Sequence, residues 1–393
     1  MKMNQKEFIA RSNEPGFAYF ETQLPNNAGA SSYLFYDPVE IKEFRKPEDF
    51  DFRVLAELSK KYYVAAALGY ELNVLNEKIP ERVLGQTRFP AVWIGVYKKC
   101  KKFSFAEAQK LSENINYAAP QTKLKLKAQD FTRNEYCSTI ERIRKHIYRG
   151  DIYQVNFTQR LYFDFEGSPL AAYFSLKNAQ PVPYGAFMNL GAGRFVVSNS
   201  PELFFSIDAD RKIISRPMKG TRPAVNAENK EILYKSAKDR AENVMIVDLM
   251  RNDFGRICEF DSIRVSDLYA VEKYSTVYQM VSQVQGRLKQ GIAISDVFSA
   301  IYPAGSITGA PKKRAMEIVY ENEVSPRGFY TGSLGFVFPD GPAKFNVAIR
   351  TLLIDAKKHS AEYGTGGGIV YDSDADKEYD EMLLKAKNLE ALF

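Results

Sequence analysis

A chain of 393 residues, 45% hydrophobic and 26% charged, has the composition of an ordinary globular protein, long enough to bury one extensive core or two smaller ones; this sets disorder and low complexity aside. No apolar run approaches the roughly 20 residues that cross a bilayer, and the N-terminus MKMNQKEFIA lacks the apolar stretch and cleavage site of a signal peptide, so a cytoplasmic chain with no membrane partner is expected. Cys100, Cys137 and Cys258 are too few and scattered for a disulfide framework or thiolate metal site, and the net charge of +6 rests partly on short runs, Lys98 to Lys102 and Lys123 to Lys127, that read as solvated faces, so no nucleic-acid partner is expected.

From Met1 to about Tyr117, strand-like runs (SYLFYD, AVWIGVY) accompany one apolar stretch, KYYVAAALGYELNVL, that reads as helical, and no chemical motif is found. A connector, Ala118 to Asp130, then separates an N-terminal region, 1–120, which is expected to pack on the catalytic region, 121–393. Thr132 and Glu135 form a capping-box pattern, Tyr136, Ile140, Ile143 and Ile147 recur at helical spacing, and Gly150 stands at the end, which predicts a helix over 132–149. Period-two patterns predict strands at Val155 to Leu161, Phe195 to Val197 and Glu202 to Ile207. Further helices are predicted over 227–250, 311–323 and 374–392, and further strands over 332–338 and 345–354. Strands and helices do not alternate as in βαβ units, so the expected class is α+β, with large antiparallel sheets in a sandwich flanked by helices.

Five features can carry chemistry. The 374–392 helix sets Glu378, Glu381 and Lys385 on one face, and Asp239 and Glu242 share an i, i+3 relation on another helix. Carboxylates from two helices suit Mg²⁺, which takes one or two of them and keeps places for water and substrate, although spacing alone fits solvated acidic faces better. The run GTGGGIV (364 to 370) offers main-chain N–H groups to an anion, or is a structural turn. Arg350 sits in an apolar strand pattern, where a guanidinium calls for an anionic partner. Lys219, between Pro217 and Gly220 in PMKGTRP, becomes a nucleophile if desolvated or crowded by cations and is otherwise a hydrated loop charge; Glu202 in SNSPELFF is a candidate general acid or a plain strand-start residue.

Together and in this order, these runs resemble the chorismate-binding enzymes, the family of anthranilate, aminodeoxychorismate, isochorismate and salicylate synthases. The matching blocks are GDIYQVNFTQR (150 to 160), SNSPELFF (198 to 205), PMKGTRP (217 to 223), KDRAENVMIVDLMRNDFGR (238 to 256), GSITGAPKKRAMEI (305 to 318), FNVAIRT (345 to 351) and GTGGGIVYDSDADKEYDEMLLKA (364 to 386). The resemblance implies Mg²⁺ held by Glu242 and Glu381 with Asp239 and Glu378 nearby. It also implies chorismate carboxylates bound by Tyr330, Arg350, Lys385 and the N–H groups of Gly366, Gly367 and Gly368, with Thr308 near the ring. Relatives that add water have lysine where this chain has Gln154, so Gln154 implies ammonia as nucleophile. Lys219 matches the PIKGT run of aminodeoxychorismate synthases, against PIAGT in anthranilate synthases, and implies amination at the para carbon. One departure stands out: many relatives read HLVS where this chain has Gln279, Met280, Val281 and Ser282. No glutaminase signature is present, so ammonia is expected from a separate glutamine amidotransferase subunit; the chain ends soon after its last motif, so loss of pyruvate from the product is expected to need another enzyme.

Overall fold

The computed structural model describes residues 3–25, 30–74, 88–115, 122–274 and 277–393. Two antiparallel sheets of ten strands each make up the centre. The first runs β16 (Gly309–Ala310), β8 (Gln154–Glu166), β20 (Ser360–Ile369), β19 (Thr351–Asp355), β10 (Arg194–Ser200), β9 (Tyr184–Gly191), β1 (Ala18–Glu21), β2 (Ser31–Phe35), β6 (Lys101–Ser104), with β7 (Lys123–Gln129) also beside β8. The second runs β13 (Met218–Pro223), β15 (Val277–Arg287), β12 (Lys212–Arg216), β11 (Leu203–Ile207), β18 (Ala343–Val347), β17 (Ser333–Val337), β4 (Tyr63–Leu68), β5 (Val92–Tyr97), β3 (Glu40–Phe44), with β14 (Arg264–Lys273) also beside β15. The α-helices that lie wholly among the described residues are α1 (Gln5–Ser12), α2 (Arg53–Ser59), α3 (Phe105–Ile115), α4 (Arg133–Tyr148), α5 (Pro169–Ala179), α6 (Glu228–Lys235), α7 (Ala237–Ile257), α8 (Ile294–Ile301), α9 (Lys312–Asn322) and α10 (Ala375–Lys385).

Side-chain alternation along the strands divides the core. Ala65 and Ala67 of β4 join Ala18, Met188 and Val196 of the first sheet in a layer between the sheets. Val64, Ala66 and Leu68 point the other way, onto Leu55, Ile246 and Phe298 of α2, α7 and α8. Helices α1, α3 and α5 cover the outer face of the first sheet, while α4, α9 and α10 pack with Val155, Phe157 and Ile369 at its β8–β20 end. The α+β sandwich expected from the sequence is the fold observed. Residues before 120 supply strands to both sheets, so a division near 120 separates stretches of sequence and not layers; residue 120 itself and the start of the connector, 118–121, lie outside the described residues.

The 132–149 helix is present with its capping box: Thr132 N donates to Glu135 Oε2 at 2.8 Å, and Glu135 N to Thr132 Oγ1 at 3.4 Å. Four other expectations need correction. In the stretch from Lys61, the apolar part is not helical but forms β4, followed by a short 3₁₀ turn (Tyr70–Leu72); Leu75 lies outside the described residues. Because β4 is covered on both faces, its apolar run has no period to betray the strand. The 227–250 helix is two, broken at Ser236, whose ψ of 110° is extended and whose hydroxyl accepts from Asp239 N at 3.2 Å to cap α7. The 374–392 helix ends at Lys385 and continues as 3₁₀ turns. Finally, the 345–354 strand is two, parted where Arg350 adopts a φ of 51°.

Candidate active site

The floor of the site is the β8–β20 ladder. Asn156 N donates to Thr308 O at 2.8 Å and Thr158 N to Glu323 Oε1 at 2.8 Å, so the even-numbered residues of β8 turn their main-chain groups away from β20. The odd ones, Val155, Phe157 and Gln159, therefore bond with Ile369, Gly367 and Thr365. GTGGGIV is thus a strand up to Ile369. Gly367 spends its N–H in the ladder, while Gly366 and Gly368 present theirs on the opposite edge. That edge has no strand beyond Tyr363, because β19 pairs only from Leu352 on and the left-handed Arg350 turns the chain away. The Gly366 carbonyl there accepts from Lys385 Nζ at 3.1 Å. Gly364 has no room for a side chain: the ring of Tyr330, itself buried, lies against its Cα.

Over Gly368, two groups from different sheets converge. A Cβ placed there would collide with the Gln154 amide nitrogen and lie 3.3 Å from Lys219 Nζ. Gln154 is buried, and its Oε1 has no hydrogen-bond partner among the described residues. Lys219 reaches the site from β13, where the pairing with β15 shifts between Met218 and Thr221 and Gly220 takes a φ of 78°. Its Nζ donates to Ser306 O at 3.4 Å. Burial holds the amine below the ordinary lysine range; the Glu242 charge opposes this, and the Lys385 charge adds to it. Glu202, buried just before β11, lies beside Ser306 and Lys219, and burial pushes its carboxyl up to about 7. Thr308 is fully buried; its hydroxyl donates to Gly305 O at 3.1 Å and so is engaged within its own turn.

The acids gather above this point. Burial raises Glu242, whose charge is also felt by Lys219, Lys238, Asp239 and Glu381. Burial likewise raises Glu378, which accepts from Ser373 Oγ at 2.7 Å. Glu381 is lowered by Lys385, whose Nζ is 2.9 Å away. Asp239 is engaged elsewhere, 3.1 Å from Arg222 Nη2 and packed under Gly220. Among the described residues no three potential ligands sit together as a ready-made cage. What remains, hard oxygen donors on two helices with more negative charge than their burial favours, fits an ion that takes one or two protein carboxylates and completes its shell with substrate and water. Arg350 is partly buried, with its basicity lowered by burial, and no hydrogen bond or ion pair reaches its guanidinium among the described residues. An incoming carboxylate would meet an unengaged fork.

The structure therefore brings Gln154, Lys219, Glu202, Gly368, Glu242, Glu378, Glu381 and Lys385 to one place, with Tyr330 and Arg350 bordering the open edge of β20. Gln279, the departure from the HLVS pattern, donates to Thr221 Oγ1 at 3.1 Å across the β13–β15 pairing. Ser306, the backstop of both Lys219 and Glu202, was passed over in the sequence although it lies inside the GSITGAPKK run. Lys238 was passed over as well; its place four residues before Glu242 was the available signal. Among the described residues no helix is long and apolar enough to cross a membrane.

The family model for chorismate binding enzymes matches residues 19–391. Aminodeoxychorismate synthase component 1 of Klebsiella aerogenes is 36% identical over 341 residues, 82% of this chain and 75% of that protein. Anthranilate synthase component 1 1 of Haloarcula marismortui is 41% identical over 265 residues, 66% of this chain, and the match spans only 53% of the relative's length. The crystal structure of anthranilate synthase component I from Streptococcus pneumoniae superposes with a TM-score of 0.78 at 27% identity, covering 93% of each chain. With the sandwich, the paired acids and the glycine strand matched by a family model over nearly its whole length, this chain belongs to the chorismate-binding enzymes.

Proposed function

We propose that this chain converts chorismate and ammonia to 4-amino-4-deoxychorismate, the precursor of 4-aminobenzoate in folate formation, with ammonia delivered by a separate glutamine amidotransferase subunit. The observation that carries the reading is the convergence of Lys219 Nζ and the Gln154 amide over Gly368, with Glu202 behind them. A lysine of lowered basicity exists partly as free amine and can attack ring carbon 2. As that bond forms, the ring double bonds shift and the 4-hydroxyl departs as water, taking the proton of Glu202. Ammonia then adds at carbon 4, the double bonds shift back, and the lysine amine leaves carbon 2; the proton lost by the new amine returns to Glu202. Gln154 holds no base and needs none, since ammonia is already nucleophilic, while its unpartnered Oε1 can accept an ammonia N–H. A Mg²⁺ ion held by Glu242 and Glu381 would offset the repulsion between those carboxylates and a dianionic substrate. Arg350, Tyr330, Lys385 and the N–H groups of Gly366 and Gly368 orient the substrate carboxylates.

The purified chain, given chorismate, Mg²⁺ and ammonium, is expected to form 4-amino-4-deoxychorismate and to stop on addition of a chelator; glutamine is expected to replace ammonium only when an amidotransferase is added. The Haloarcula relative makes amination at carbon 2 the second reading, and anthranilate as the main product would establish it.

A single methyl group tests the convergence. Gly368→Ala leaves the backbone in an allowed strand conformation but drives a Cβ into the Gln154 amide. Displacements of about 1 Å at reacting groups cost roughly 10²-fold, so kcat should fall by about that factor with circular dichroism unchanged. Parental kcat in this variant would dissociate Gln154 and Lys219 from the chemistry.

A further inference from the structure

Arg327 stands three residues before Tyr330, beneath the strand that begins at Gln154, and touches none of the reacting groups. Its guanidinium is buried with the Glu323 carboxylate, at 2% and 6% side-chain exposure, and all five of its N–H donors are used. Nε donates to Glu323 Oε2 at 2.9 Å, and Nη2 donates to Glu323 Oε1 at 2.7 Å and to Asn156 O at 2.6 Å. Nη1 donates to Ile307 O at 2.8 Å and to Thr331 Oγ1 at 3.4 Å. Glu323 completes the arrangement by accepting from Thr158 N at 2.8 Å and Thr158 Oγ1 at 2.9 Å. The whole group is backed by the Tyr70 ring, 4.4 Å from the guanidinium carbon.

This ion pair occupies a place in the sheet. Beside β8, the strand β16 extends only over Gly309 and Ala310, opposite Val155 and Gln154. At Asn156 and Thr158, where a longer strand would have continued the ladder, the Arg327 fork takes the carbonyl and the Glu323 carboxylate takes the N–H. The same planar fork also holds Ile307 O, between Ser306, whose carbonyl receives Lys219 Nζ, and Thr308. Asn156 in turn lies two residues after Gln154 and opposite Gly368. One rigid group therefore acts with the Asn156 N to Thr308 O bond in setting the distance between the turn that backs Lys219 and the strand that carries Gln154.

We infer that Arg327, anchored by Glu323, is a positioning residue that fixes the separation of the Lys219 and Gln154 sides of the site. The inference rests on the proposed amination for its kinetic readout and on the fold alone for its structural one. Lysine in place of Arg327 keeps the charge opposite Glu323 but cannot span Ile307 O and Asn156 O at fixed geometry. Arg327→Lys should therefore lower kcat by roughly 10²-fold and leave the chorismate KM within about threefold, because of the carboxylate-binding groups only Tyr330, held through its main-chain N–H to Arg327 O, shares its turn, while Arg350, Lys385 and the glycine N–H groups come from other elements. Glu323→Gln keeps one acceptor oxygen at the anchor while turning an NH₂ toward a donor, leaves the Ile307 and Asn156 bonds in place, and should lower kcat by less than tenfold. Arg194→Lys serves as the control for a buried arginine pair, here with Glu43, remote from the site; it should lose thermal stability without a matching loss of kcat.

Amide hydrogen exchange of the substrate-free proteins, read over 154–158 and 305–308, should be faster in Arg327→Lys than in the parent or the Arg194→Lys control. That measurement decides the structural claim even if the parent fails to turn over chorismate, in which case the proposed function alone falls. Unchanged exchange in both segments, parental kcat in Arg327→Lys, or a kcat loss of equal size in Arg194→Lys would each overturn the positioning role.

Discussion

Lys219→Ala is expected to lower formation of 4-amino-4-deoxychorismate by at least roughly 10³-fold, the scale seen when a group that acts by covalent bonding is removed. The side chain is half-buried and its one hydrogen bond among the described residues is a long one, to Ser306 O, so the fold should survive its loss. Electrostatics change in one direction. Glu202 and Glu242 each lose a cation that now favours their ionised forms, and so both carboxyls should move further up. The space over Gly368 opens at the same time, which gives ammonia an approach to ring carbon 2. Residual turnover in the variant should therefore include anthranilate, a product the parent is not expected to release. Mass spectrometry of the acid-quenched parent under turnover should find chorismate-derived mass on the peptide containing Lys219. A variant that keeps kcat within tenfold of the parent, or a quenched parent with no adduct, would remove the covalent step.

Glu202→Gln should cost between roughly 10² and 10⁴ in kcat, the range for loss of a positioned proton donor. Its pH dependence distinguishes this role from simple packing. A carboxyl pushed up to about 7 in the free enzyme is protonated below that value, so parental kcat/KM should decline as pH rises through about 7, and the variant's residual kcat/KM should lack that limb. The stability effect has a defined sign. Because the folded state holds the Glu202 proton more tightly than the unfolded chain, where the ordinary value is 4.5, the contribution is complete below 4.5 and is lost as pH rises through about 7. The gap corresponds to roughly 3 kcal/mol, so the glutamine variant should gain melting temperature on the parent at pH 8 and not at pH 4. Parallel melting curves at both pH values would mean that Glu202 is not held in its neutral form.

How much of this the sequence disclosed depends on whether a residue's role is local. The α4 helix was legible because a capping box and a 3.6-residue period are both contained in one short window. The two sheets followed from the absence of βαβ alternation. Ser236 was invisible as a break because a serine hydroxyl caps or back-bonds according to backbone geometry that composition does not fix. The glycine run was read as a turn or anion loop, since glycine is rare inside strands; its reason for being glycine lies in Tyr330, Gln154 and Lys219, which come from elsewhere in the chain. Arg350 was correctly singled out as a costly cation, but not as the left-handed residue that ends one pairing and opens the edge of β20. Arg327 and Glu323 gave no signal, being an ordinary i, i+4 pair whose importance lies in the strand they replace.

The placement of β19 and β20 bears on how the molecule comes into being. These strands belong to the last tenth or so of the chain, yet they lie in the middle of the first sheet, between β8 and β10. During synthesis β8 and β10 emerge long before the strands that join them, so each carries an unpaired edge until translation is nearly complete. Pairings this distant in sequence close slowly, and open edges invite association with other chains in the interval. The helix that bears Glu378 and Glu381 follows β20 directly, so those two acids cannot face Lys219 until the sheet has been filled from its centre. A nascent or shortened chain ending before Ser360 would thus lack a keystone and not merely a tail.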